Sequence, residues 1–230
     1  MKPQSRREFL GKTAILSGSV LLYPLVTACE RSREALPETR STARLGGGGE
    51  QRLGLPLVKP PGWDPIGFNR ERGNAGAIPP AYLPDINGPE GERAHLGKHL
   101  PFLPAVDPAG IPKGHIALMW GDPAKGHVRH PNAPPDPSNN YEGHWYNWIR
   151  IRKSSGNWQE TAVSTYSGWP QPSPDDSGRF AILGRHRLTD EAGVYTIYLA
   201  ALPRGVSRGD TLRIWAHCLT HGEYVDFVRI

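Results

Sequence analysis

The sequence predicts an all-β fold, a sandwich carried by the chain from about residue 90 to Ile230, and three observations lead to it. Short runs rich in β-branched and aromatic residues follow one another, bounded by Gly, Pro, Ser and Asp: WYNWIRI, NWQETAVSTY, RFAILGRHRL, GVYTIYLAAL, TLRIWAHC and YVDFVRI. In TLRIWAHC the alternation is explicit, with Leu212, Ile214 and Ala216 on one face and Arg213, Trp215 and His217 on the other. Nothing long enough carries a 3.6-residue period, and about 130–140 residues suffice for one domain with a real core.

Ahead of that domain the chain divides in two. Residues 1–28 read as a twin-arginine signal peptide: Arg6 and Arg7 in SRREFLGK precede an apolar run too short and poorly flanked for a stable transmembrane helix. VTAC ends the run as a lipoprotein cleavage box, which makes Cys29 the lipidated first residue of the exported chain; an uncleaved N-terminal anchor is the alternative. The expected location is therefore the periplasmic or cell-surface face of a membrane. Residues 29–80 read as a lipid-tethered linker, first a polar Gly-rich spacer (RSREALPETRSTARLGGGGEQR) and then a Pro/Gly-rich approach. That approach is expected to be irregular or extended and to wrap over the folded domain, since Trp63, Phe68 and Tyr82 would otherwise be exposed. Residues 81–230 form the predicted domain.

Charge excludes one class of partner. Lys2, Arg6, Arg7 and Lys12 against Glu8 account for +3 of the formal +5, which leaves the exported chain at +2. No basic block with interleaved aromatics is present, so nucleic acid is not an expected partner.

With Cys29 committed to lipid, Cys218 is the remaining thiol, and it has no intramolecular disulfide partner in an oxidising compartment. Such a thiol is either an inert buried side chain or a metal ligand. Cys218 is followed by His221 at the C-x-x-H spacing, where a strand end runs into a turn at Gly222. Extended geometry giving way to a tight bend lets a thiolate and an imidazole converge on one ion. Three further histidines lie in particular settings: His99 in GKHLP, His130 in HPN and His144 in EGHWYNWI.

GKHLP, HPN followed shortly by GHWYNWIRI, and the C-terminal AHCLTHGEY together resemble the ordered motifs of the superoxide reductase family, the neelaredoxin and desulfoferrodoxin iron domain. The resemblance covers about residues 90–230 and implies a seven-stranded immunoglobulin-like β-sandwich or barrel. It implies a mononuclear iron (Fe2+/Fe3+) ligated by His99, His130, His144 and His221, with the Cys218 thiolate along the axis. Lys98, immediately before the first histidine, takes the place of the family's lysine that attracts superoxide. The implied reaction is one-electron reduction of superoxide to hydrogen peroxide by an external, extracytoplasmic electron donor that these residues do not identify; a homo-oligomer is left open.

Elementary chemistry agrees. Five N/S donors exceed the four of a closed zinc site, and imidazoles with one thiolate suit iron with an open position. A thiolate opposite that position pushes electron density toward bound oxygen species, and a nearby cation raises the encounter rate of an anionic substrate.

Two departures from the family stand out. Many members carry a glutamate just before the lysine, whereas this chain has Gly97, with Glu142 as a stand-in; and the optional second metal module needs four cysteines where this chain has two. His127, three residues before His130, is the rival for that ligand place, while His95, His186 and His217 read as structural. The alternative function is a non-enzymatic metal-binding or electron-transfer lipoprotein, with a cupredoxin-like or degenerate iron site. Copper is disfavoured because the only methionines are Met1 and Met119 and none follows His221.

Overall fold

In the computed structural model, residues 53–187 and 190–230 are described. Arg6, Arg7 and Cys29, and with them the expected leader, lipid anchor and Gly-rich spacer, lie outside these residues. No helix among the described residues is long and apolar enough to cross a membrane.

The fold is an all-β sandwich of two antiparallel four-stranded sheets. Its strands are β1 (Pro101–Phe102), β2 (His115–Trp120), β3 (Tyr146–Lys153), β4 (Ala162–Thr165), β5 (Arg179–Ile182), β6 (Thr196–Ala201), β7 (Thr211–Cys218) and β8 (Gly222–Arg229). One sheet has the order β1-β2-β6-β5 and the other β4-β3-β7-β8. The alternation read in TLRIWAHC sorts as expected: Leu212, Ile214, Ala216 and Cys218 enter the core between the sheets, with Ile149, Ile151, Leu118 and Tyr198. Trp215 faces outward and is covered there by Leu55 and Val225.

Two strands were not among the runs read from the sequence, the two-residue β1 and the longer β2. HIALMW forms β2, inside its sheet between β1 and β6. It lacks polar alternation because both faces are covered, Leu118 by the central core and Ala117 and Met119 by a second apolar cluster with Ile197 and Leu199.

The Pro/Gly-rich approach lies against the sandwich. Helix α1 (Pro65–Arg72) starts at an Asp64 cap whose carboxylate accepts the Ile66 N–H at 3.0 Å, with Pro65 in the first turn where its missing N–H costs nothing. α2 (Leu83–Asn87) and several single turns follow. Trp63 donates its indole N–H to Asp226 Oδ1 at 2.8 Å. Asn69, fully buried, accepts the Val225 N–H at 2.8 Å and donates to the Val225 carbonyl at 2.7 Å. β8 is an edge strand, so Asn69 satisfies the backbone groups that a neighbouring strand would otherwise pair.

Candidate metal centre

Five side chains from four parts of the chain meet at one end of the sandwich, all of them buried. Cys218 closes β7 and points inward with the core residues of that strand. Leu219, Thr220 and His221 make the loop to β8, since Cys218 pairs with Gly222 across the hairpin. Gly222 takes φ +87°, a left-handed conformation that turns the chain at once after His221. His99 ends a single turn, Gly97–His99, just before β1. His144 pairs with Ala133 in an isolated bridge ahead of β3, and the backbone N–H of His130 donates to the Trp120 carbonyl at 3.1 Å.

The ligand atoms of His99, His144, Cys218 and His221 lie within 4.8 Å of one another. His221 Nδ1 is the focus: His99 Nε2 stands 3.2 Å from it, His144 Nε2 2.9 Å and Cys218 Sγ 3.6 Å. Metal–nitrogen bonds of about 2.0–2.1 Å and metal–sulfur bonds of about 2.3 Å place neighbouring donors at such separations. His130 lies beside these four donors and is not one of the set that converges. Its ring centre lies 4.2 Å from that of His144 and 5.1 Å from that of His99.

Hydrogen bonding fixes which nitrogens face inward. His99 Nδ1 lies 2.5 Å from the His95 carbonyl, which can only accept, so Nδ1 carries the proton and Nε2 of the neutral ring presents a lone pair to the cluster. The Pro131 backbone lies close enough to His144 to favour its charged ring. Both ring nitrogens of His130 are buried without a hydrogen-bond partner. Asn132 lies close enough to favour the charged ring, yet its oxygen accepts from Tyr198 Oη at 2.5 Å and its amide donates to the Gly193 carbonyl at 2.7 Å. The inward lone pairs of His99, His144 and His221 with the Cys218 sulfur are a donor set that fits a metal ion, which would satisfy them together.

Electrostatics point the same way. Burial first, then repulsion from neighbouring imidazoles or, for His144, from Lys98, hold all four imidazoles neutral: His99 and His130 well below the usual 6.5, His144 at about 4 and His221 at about 2. Neutral imidazole is the ligating form. Burial pushes the Cys218 thiol up to about 12, and a bound cation would reverse that by stabilising the thiolate. Lys98, half-buried beside His99, acts electrostatically on His99, His130, His144, Cys218 and His221 alike.

An aromatic shell surrounds the group. Tyr224 stacks on His99 at 4.2 Å, Tyr146 lies 4.7 Å from His130, and Tyr82 meets His221 edge-on at 4.5 Å. Sequence reasoning did not single out Tyr146, Tyr224 or the His95 carbonyl as support. The tyrosines carry a signal in retrospect, as HWY and GEY place them two residues after His144 and three after His221.

The remaining histidines fall elsewhere. His127 is half-buried outside the cluster, its ring against Gly97, where an added Cβ would meet His127 Cδ2 at 2.3 Å and the Glu92 carbonyl at 2.7 Å. Residue 97 therefore has no room for a side chain, carboxylate included. Glu142 is exposed, and the ligand group contains no carboxylate. His217 turns away from Cys218, 2.7 Å from Asn147 Oδ1 and stacked on Trp148. His186 stacks on Tyr195 beside Glu191, and His115 lies by the Lys113 carbonyl. His95 serves through its carbonyl, and its ring lies 3.9 Å from Asp85.

No protein-family model, curated protein or solved structure matches this chain. The geometry described above is that of a buried His and Cys group on a β-sandwich, able to hold a metal ion.

Proposed function

We propose that this protein is an exported, lipid-tethered mononuclear iron protein of the superoxide reductase type, which converts superoxide to hydrogen peroxide: O2•− + e− + 2H+ → H2O2. The observation that carries the reading is the meeting of three neutral imidazoles and one thiol in a single buried group, with a fourth buried imidazole, His130, alongside and one lysine that acts on them all. Iron held there would supply one-electron redox chemistry at an open coordination position. The electron comes from an extracytoplasmic donor, which makes the reaction a reduction without release of oxygen.

The chain's own residues divide the work. Cys218, buried away from bulk water, would hold the iron as a thiolate and donate electron density to it. Lys98 draws the substrate anion toward the histidines, which stay neutral and so neither repel a metal nor trap the anion elsewhere. With Gly97 unable to bear a side chain and Glu142 exposed, protons come from solvent.

A second reading, a metal-holding or electron-transfer centre without turnover, is favoured by one observation. The four donors that converge most tightly, His99, His144, Cys218 and His221, form a His3Cys set that zinc or copper also accepts. Met119 is no axial ligand for copper, because its side chain packs outside the central core with Ala117, Ile197 and Leu199.

One set of measurements separates these readings. Metal analysis and visible spectra of protein folded before export should give about one iron per chain and a thiolate-to-iron band, both lost in Cys218→Ser and His144→Ala. A superoxide pulse should oxidise the anaerobically reduced protein rapidly. Lys98→Met should keep the iron, slow that oxidation by about 10-fold and flatten its dependence on ionic strength. Iron retained in both ligand variants would sink the site assignment, and a reduced iron protein indifferent to superoxide would leave the second reading.

A further inference from the structure

His221 is the ligand with the least support from its own hairpin. His99 is held by the His95 carbonyl, His144 is fixed through its backbone bridge to Ala133, and Cys218 sits on a strand. His221 stands on a three-residue loop, and Nδ1 is already surrounded by His99, His144 and Cys218. Outside the cluster its ring lies against Tyr82, 4.5 Å away at 64°, and more distantly against His95 at 6.0 Å. Edge-to-face packing of this kind is favourable and restricts rotation of the ring it meets.

Tyr82 is itself held in place. It packs with Ile66 and Leu83 onto a small apolar cluster of Ile78, Ile86, Leu96 and Tyr224. The chain leading to it is pinned to β8 by the Trp63–Asp226 bond, the double Asn69–Val225 pair and an Arg72–Glu223 ion pair of 3.2 Å. It then runs so close over Gly222 that a Cβ there would meet the Ala77 carbonyl at 2.5 Å and Pro79 Cδ at 2.9 Å. The backbone turn that delivers His221 and the segment that delivers Tyr82 are thus in van der Waals contact.

Resting on the reading of this cluster as a metal centre, we propose that Tyr82 is a positioning residue for it: the edge of its ring holds the His221 imidazole so that Nδ1 faces the other donors. Residues 63–82 are on this account a working part of the centre. The phenol ring, not its hydroxyl, performs the task.

Cobalt(II) titration of the full chain tests this, read by affinity and by the d–d and thiolate-to-cobalt bands, with the melting temperature of the metal-free protein measured in parallel. Tyr82→Ala should weaken Co2+ binding by about 10-fold or more and alter the d–d bands, as loss of outer support does at other metal sites. Tyr82→Phe should match the wild type in affinity and spectrum. Tyr82→Leu, which keeps the apolar packing and hence the fold, should resemble Tyr82→Ala in its spectrum. Wild-type affinity and bands in Tyr82→Leu would overturn the proposal, and so would a Tyr82→Phe variant as impaired as Tyr82→Ala. A wild-type chain that binds no Co2+ at all would instead overturn the metal reading beneath it.

Discussion

His130 shows at the residue scale how a functional demand opposes stability. A buried imidazole with neither nitrogen hydrogen-bonded carries a desolvation cost of about 1–3 kcal/mol in the metal-free chain. His130→Leu should therefore raise metal-free stability by about 1 kcal/mol, read from the urea midpoint, while lowering iron affinity. A loss of stability on that substitution would mean that the ring is satisfied without a metal. Gly97 makes the complementary point. Its lack of a side chain is enforced by the His127 ring and the Glu92 carbonyl, so a carboxylate at this position has no room. His127, which competed with His130 for a ligand place in the sequence, fills that space instead.

Among the elements, the β7–β8 hairpin supplies two of the four converging donors. Strand alternation sends Cys218 into the core and His217 out of it, and a three-residue loop ending in a left-handed glycine brings His221 back over Cys218. Any other residue at position 222 meets two penalties, the φ of +87° and a Cβ driven into the Ala77 carbonyl. Gly222→Ala should cost about 2 kcal/mol or more in stability and weaken metal binding with it, whereas an unstrained turn would show little change in either urea midpoint or Co2+ affinity. C-x-x-H with a following glycine was legible as this device because turn chemistry is local. β2 was not legible, since a strand covered on both faces loses the alternation that marks a half-buried one.

For the molecule as a whole, the covering of edge strand β8 by residues 63–72 sets a pH dependence. Asp226 is 4% exposed, and burial raises its pKa above the usual 3.8, opposed by the Trp63 indole, the Phe227 N–H, Lys125 and Lys59. A raised folded-state pKa means that the folded chain holds the proton more tightly than the unfolded chain. Its contribution to stability is complete below 3.8 and is lost as pH rises through the raised value. Urea unfolding against pH should show the wild type gaining stability relative to Asp226→Asn as pH falls from neutrality toward 4. A constant difference between the two curves would place Asp226 at an ordinary carboxylate pKa in the fold.

From its sequence alone the chain determined an all-β domain, the inward face of β7, the C-x-x-H hairpin and the five candidate donors, because period-2 patterning, turn residues and ligand types are written in consecutive positions. Only the tertiary structure decided which histidines meet and what supports them. His99 and His221 stand 122 positions apart and their nitrogens lie 3.2 Å apart, while His127 packs against Gly97, outside the group. The wrapping of Trp63, Asn69 and Tyr82 over β8 likewise depends on an edge strand whose free backbone groups exist only once the sheet has formed. Such contacts between distant segments leave no periodicity in the chain, since they are selected by the shape and unsatisfied polar groups of a surface that folding itself creates.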